Sequence, residues 1–184
     1  VEPRRLAQVG DEAHRDALAA RRLAGARALV RLALVVVHRV HDELLGARLL
    51  DGELAHLVAA VEQRWTEPDQ GIWEVRSAPR HHVNSKVMCW VTVDRAVQIA
   101  DEVFGRERPE WVNLREEIKD DIITNGWNDE VGSFTTAYDG TDIDASVLAI
   151  GLFGMLEHDD PRYIATVHAV ESSLRTGDTV YRYK

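Results

Sequence analysis

Between Glu67 and Trp90 the chain reads EPDQGIWEVRSAPRHHVNSKVMCW, a run in which carboxylate, guanidinium, imidazole, ammonium and indole groups crowd together without an apolar stripe. Pro68, Gly71 and Pro79 interrupt any helical period, so the segment reads as a loop running into a helix. Loops longer than about 12–15 residues are uncommon inside compact domains, and those that persist are binding loops or disordered. Trp73 and Trp90 argue against disorder. Glu74 is the residue best suited to chemistry. Beside Ile72, Trp73 and Val75 its carboxyl is expected to lose hydration, which favours the neutral form and lifts the pKa toward that of a usable general acid. The competing reading is an exposed loop glutamate near Arg76, whose charge would act in the opposite direction. Trp73 has two uses, stacking on the C–H face of a sugar ring or anchoring the loop to the core.

Arg76 and Lys86 offer donors to the hydroxyl groups of a neutral ligand; otherwise they are solvated charges or partners for Asp69 or Glu74. The adjacent His81 and His82 lack the i, i+4 spacing that turns two imidazoles toward one ion, so no metal is expected. A second polar, Gly-punctuated stretch from 127 to 142 carries Trp127, Phe134 and Tyr138 as candidates to line a pocket. Asp144 just beyond it suits a helix N-cap. There is no Gly-rich phosphate loop, no Ser-His-Asp order and no Cys-x-x-Cys pair, so nucleotide, serine-hydrolase and redox readings have nothing to rest on and no cofactor is expected.

Several of these runs together resemble glycoside hydrolase family 15: GIWEVR at 71–76, Arg80-His81, SKVMCW at 85–90, FTTAY at 134–138, DIDAS at 142–146 and VYRY at 180–183. That family includes glucoamylases, glucodextranases and actinobacterial-type trehalases. The resemblance implies an (α/α)6 toroid of six helical hairpins. It also implies an inverting, exo-acting α-glucoside hydrolase, trehalase-like or else a glucoamylase. The partner would be a neutral sugar, trehalose or an α-glucan, rather than nucleic acid or membrane. It puts Glu74 at the general-acid position and Trp73, Arg76, His81, Lys86, Trp127 and Tyr138 around the substrate. The chain departs from the family at His82, where an aromatic is more usual, and at Thr136, where glutamine is expected. Glycoside hydrolysis normally takes two carboxyl groups. In the family the second follows the Tyr-Arg-Tyr segment, so residues 1–184 read as an internal part of one catalytic domain, inactive alone. A non-catalytic helical module is the alternative.

The elements that must hold these residues follow from pattern and composition. A length of 184 residues allows one ordinary core. The net charge of −9 disfavours nucleic acid or an anionic membrane as partner, since both need a basic face. Cys89 is the single cysteine and sits in a helical apolar pattern, which reads as a buried thiol in a reducing, cytoplasmic setting. No secretory signal opens the chain, and the longest apolar run, residues 32–37, is far short of the roughly 20 residues a membrane span needs. Residues 17–40 stand apart, with five arginines, no acidic residue and only Ala, Leu, Arg, Val, Gly and His. They read as an Arg-rich helix or as a shifted reading frame of a GC-rich gene.

Helices are expected over 41–50, 51–65, 85–104, 109–124, 145–156 and 162–175, with Asp51 and Ser85 as caps and Gly105 as a left-handed stop. Short connections at 46–51, 105–109 and 158–160 alternate with long ones at 66–84, 125–142 and 177 onward. Consecutive helices on short loops pack antiparallel, so every long loop should fall on one face of an all-α hairpin array.

Overall fold

The computed structural model describes residues 44–74 and 78–183. The chain divides into two compact units, Val1–Gly46 and Ala47–Lys184, and nearly all of the described residues belong to the second. The anomalous stretch 17–40 lies outside the described residues, as do Val75 and Arg76.

The first described helix, α1, runs Leu44–Arg64 without a break. Asp51 and Gly52 therefore sit inside a helix and do not separate two. Asp51 caps nothing; its carboxylate instead receives the guanidinium groups of Arg106 and, at 2.7 Å, Arg108. A glycine inside a helix costs only about 1 kcal/mol. Burial of Leu50, Leu54, Val58 and Trp65 along and just beyond the helix outweighs that.

Helices α2, Val83–Glu102, and α3, Pro109–Gly126, form the central hairpin. Val87, Trp90, Val91, Val93, Ala96 and Ala100 of α2 share one core with Trp111, Leu114, Ile118 and Ile122 of α3. Gly105 takes φ +59 as expected, and Arg106 N–H reaches back to the Ala100 carbonyl at 2.9 Å, a Schellman-type closure. Pro109 opens α3, where its missing N–H has no partner to lose. Helix α2 starts two residues before Ser85. No side chain caps it; Val83 N–H donates to the Thr136 carbonyl at 3.1 Å, so the second loop supplies the acceptor. Ser85 instead hydrogen-bonds Asp69 at 3.0 Å.

Beyond α3, strands β1, Trp127–Asn128, and β2, Ser133–Phe134, pair antiparallel with Trp127 opposite Phe134. The expected helix 145–156 is a 3-10 turn, Ala145–Leu148, continuing into the short α4, Ala149–Leu152. Val147, Ala149 and Ile150 are buried. The helix stops at Phe153 and Gly154 (φ +80), leaving Leu152 71% exposed. Helix α5, Pro161–Leu174, is capped by Asp160, whose carboxylate accepts from Arg162 N–H at 2.8 Å. A final hairpin pairs β3, Arg175–Thr176, with β4, Thr179–Val180. Among the described residues these two-residue ladders are the only strands, and the fold is all-α as expected.

The long connections meet. The first closes on itself through Asp69 and Arg80 and bridges the second at His82 and Ala137. Tyr138 N–H donates to the His81 carbonyl at 3.0 Å, and Ala145 N–H to that of Arg182 at 2.8 Å. Loops 65–82, 127–144 and 175–183 thus share a face, although one of the three short turns used to infer this is really helix. Among the described residues no helix is long and apolar enough to cross a membrane.

Candidate active site

The loop that carries Glu74 is tied down at its base and twisted at its tip. Asp69 and Arg80 exchange backbone hydrogen bonds at 2.9 Å in both directions, and the Asp69 carboxylate accepts from Gly71 N–H. Gly71 has φ +67, and a Cβ there would stand 2.9 Å from the His82 ring, so only glycine fits this crossing. Residues 71–74 then form a turn in which Glu74 N–H approaches the Gly71 carbonyl at 3.3 Å.

Glu74 itself takes φ +49. The left-handed region costs a residue with a Cβ about 1–2 kcal/mol. Such conformations persist where the surroundings over-determine them, and they cluster at functional sites. The preceding residue, Trp73, is held by the other two long loops. Its Nε1–H donates to Asp144 Oδ2 at 2.5 Å, the Arg182 guanidinium lies 4.7 Å over its ring, and Tyr183 packs at a ring separation of 6.1 Å. Asp144 is only 2% exposed, and its other oxygen caps the 3-10 turn by accepting from Ser146 N–H at 2.7 Å. The capping role expected of Asp144 is therefore found. Trp73 acts here as an anchor joining the three long loops.

The desolvation expected around Glu74 is not found among the described residues: Glu74 is exposed, and Ile72 beside it is 38% exposed. Lys86 departs from expectation further. At 2% exposure it donates to the carbonyls of Trp65 and, at 2.8 Å, Glu67, closing the C-terminal end of α1. Burial pushes its pKa down from the usual lysine range, with nearby Cys89, Asp69, Asp121 and Glu67 opposing. Its position one turn into α2 faces the core, which is why a lysine expected to meet sugar hydroxyls meets main-chain carbonyls instead.

His81 and Tyr138 are brought together as a stacked pair, 5.7 Å apart at 18°. The Tyr138 hydroxyl donates to Asp121 at 2.6 Å, and burial with that carboxylate alongside drives its pKa far above the usual tyrosine value. Trp127 is half-buried, hydrogen-bonded to Asp129 at 2.8 Å and set edge-on to Phe134 at 5.4 Å. Phe134 is wholly buried and belongs to the core, not to a pocket lining. Cys89 is half-buried, its thiol pKa raised by burial. Among the described residues no cluster of His, Cys, Asp and Glu could hold a metal ion. Neither the place of Arg182 over the indole nor the link between Trp73 and Asp144 was legible in the sequence; the latter pair is 71 residues apart, and no local spacing announces it.

The loop-bearing helical array and its carboxylates have relatives. The family model of the glycosyl hydrolases family 15 matches residues 15–184, and the chain belongs to that family. It is 42% identical over 123 residues to a trehalase of Mycobacterium tuberculosis, covering 66% of this chain and 18% of that protein. A trehalase of Mycolicibacterium smegmatis is 41% identical over 133 residues, covering 71% and 20%. One of Thermoplasma acidophilum is 33% identical over 128 residues, covering 68% and 22%. The chain thus spans about a fifth of the length of the trehalases it matches. In three dimensions it resembles a glycosidase variant solved in complex with glucose, with a TM-score of 0.63 and 21% identity over 81% of this chain and 39% of that one. That likeness speaks for the fold.

Proposed function

We propose that the complete protein is an inverting, exo-acting α-glucoside hydrolase of trehalase type, with Glu74 as its general acid. The observation that carries this reading is the left-handed turn at Glu74, held by Trp73 where three loops converge. Left-handed residues held by their surroundings cluster at functional sites, and a backbone fixed at Glu74 on an elaborated face suits positioned acid catalysis. Similarity to trehalases at 41–42% identity, across the segment that holds the turn, favours trehalose over an α-glucan.

In this mechanism Glu74 protonates the glycosidic oxygen as its bond to the anomeric carbon breaks. A second carboxylate, supplied by the rest of the protein, activates a water on the opposite face of the ring. Inversion places the two carboxyl groups about 6.5–9.5 Å apart, leaving room for that water. His81, Tyr138, Trp127 and Arg76 would frame the sugar, with the Trp73 indole edge alongside. Bound sugar would remove water from the exposed Glu74. The full (α/α)6 toroid belongs to this proposal as well.

Full-length enzyme incubated with trehalose, maltose and soluble starch, with early products followed by proton NMR, tests both substrate and stereochemistry. Trehalose should be cleaved fastest and should give α- and β-glucose in equal amounts, since the attacked ring inverts while the departing glucose keeps its configuration. Preference for starch would make the enzyme a glucoamylase. α-Glucose alone from trehalose would contradict inversion, and no hydrolysis of any substrate would leave a non-catalytic helical module.

A further inference from the structure

We infer that Asp144 is the positioning residue for the general acid: through its hydrogen bond to the Trp73 indole it holds the 71–74 turn and so fixes where Glu74 presents its proton. The inference rests on Glu74 being the acid, and the geometry supplies the rest. Trp73 and Glu74 are sequence neighbours, so the indole is the side chain best able to set the turn's orientation. That indole is held on two sides by other loops. Asp144 Oδ2 accepts its N–H at 2.5 Å, and Arg182 lies over its ring at 4.7 Å while its carbonyl accepts from Ala145 N–H at 2.8 Å.

Asp144 is suited to this in a way that an exposed carboxylate would not be. It is buried, and its second oxygen is committed to Ser146 N–H at 2.7 Å, so the carboxylate cannot turn without uncapping the 3-10 helix. Ser146 is fixed in its turn, because its carbonyl accepts from the buried Asn84 side chain of α2 at 3.1 Å. A rigid chain of contacts therefore runs from α2, through Ser146 and Asp144, to Trp73 and the turn. A left-handed Glu74 needs such a restraint, since the region is unfavourable for any residue with a Cβ. The chemical consequence is specific: a misplaced acid fails when the leaving group needs a proton, and hardly matters when it does not.

Asp144→Asn in the full-length protein separates this role from mere capping. The asparagine Oδ1 can still accept from Ser146 N–H, while its NH₂ group meets the Trp73 N–H donor to donor. Amide hydrogen exchange at residues 71–74 should quicken by about tenfold or more, reporting local opening, with little change in the helices. Turnover of trehalose should fall by about tenfold or more, at a nearly unchanged KM, while hydrolysis of α-glucosyl fluoride changes little. Trp73→Phe should likewise quicken exchange at the turn, and the double variant should exchange no faster there than the faster single one, because both remove the same bond. Unchanged exchange at the turn in Asp144→Asn, equal losses on both substrates in that variant, or additive gains in exchange in the double variant would overturn the inference. If the wild-type protein cleaves no glucoside, the reading of its function fails, and the exchange measurement still decides whether Asp144 holds the turn.

Discussion

Lys86, 2% exposed, gives its ammonium protons to the carbonyls of Trp65 and Glu67, so its contribution is to the join between α1 and the first long loop. Replacement by methionine should destabilise the complete protein by about 1–3 kcal/mol, the cost of leaving buried acceptors unpaired, as measured by urea unfolding. The pH dependence has a definite sign. Burial lowers the folded pKa below the unfolded value of about 10.4, so between the two the unfolded chain binds more protons, and stability from this group rises with pH. The alkaline slope should therefore be more positive in the wild type than in Lys86→Met. Residue type alone could not separate this lysine from a ligand donor, because its fate depends on which face of α2 meets the end of α1. Asp144 was legible as a cap from its place before Ala145; its second bond was not, since the partner is far away in sequence.

At the scale of elements, apolar periodicity and punctuation located α2, α3 and α5 to within a few residues, because Gly105, Pro109 and Asp160-Pro161 act through local backbone chemistry. The errors fall where tertiary contacts overrode those signals. Gly52 did not break α1, and α2 took its first acceptor from Thr136 of another loop instead of from Ser85. The apolar run 145–156 stops as a helix at Leu152, and within it Gly151 lies so close to Tyr163 that a Cβ would stand 2.2 Å from the ring. Gly151→Ala should consequently cost about 1–3 kcal/mol through overpacking, read as an earlier urea midpoint in tryptophan fluorescence. Full stability of that variant would mean that α4 and α5 do not pack as described.

For the whole molecule, the expected short connection at 46–51 is continuous helix, while the other two short connections and the convergence of loops 65–82, 127–144 and 175–183 were legible without any relative. The number of hairpins was not legible, because periodicity describes each helix and says nothing of closure. Nor was the substrate, which rests on similarity to trehalases of which the chain spans about a fifth. On the proposed reading, this shared face presents Glu74 as a proton donor. Glu74→Gln in the full-length protein keeps shape and hydrogen bonding but has no proton to give. Turnover of trehalose should drop toward the upper end of the roughly 10²–10⁴-fold that general acid catalysis supplies, while α-glucosyl fluoride, whose leaving group needs little protonation, should lose far less. Equal losses on the two substrates in a folded variant would contradict the claim.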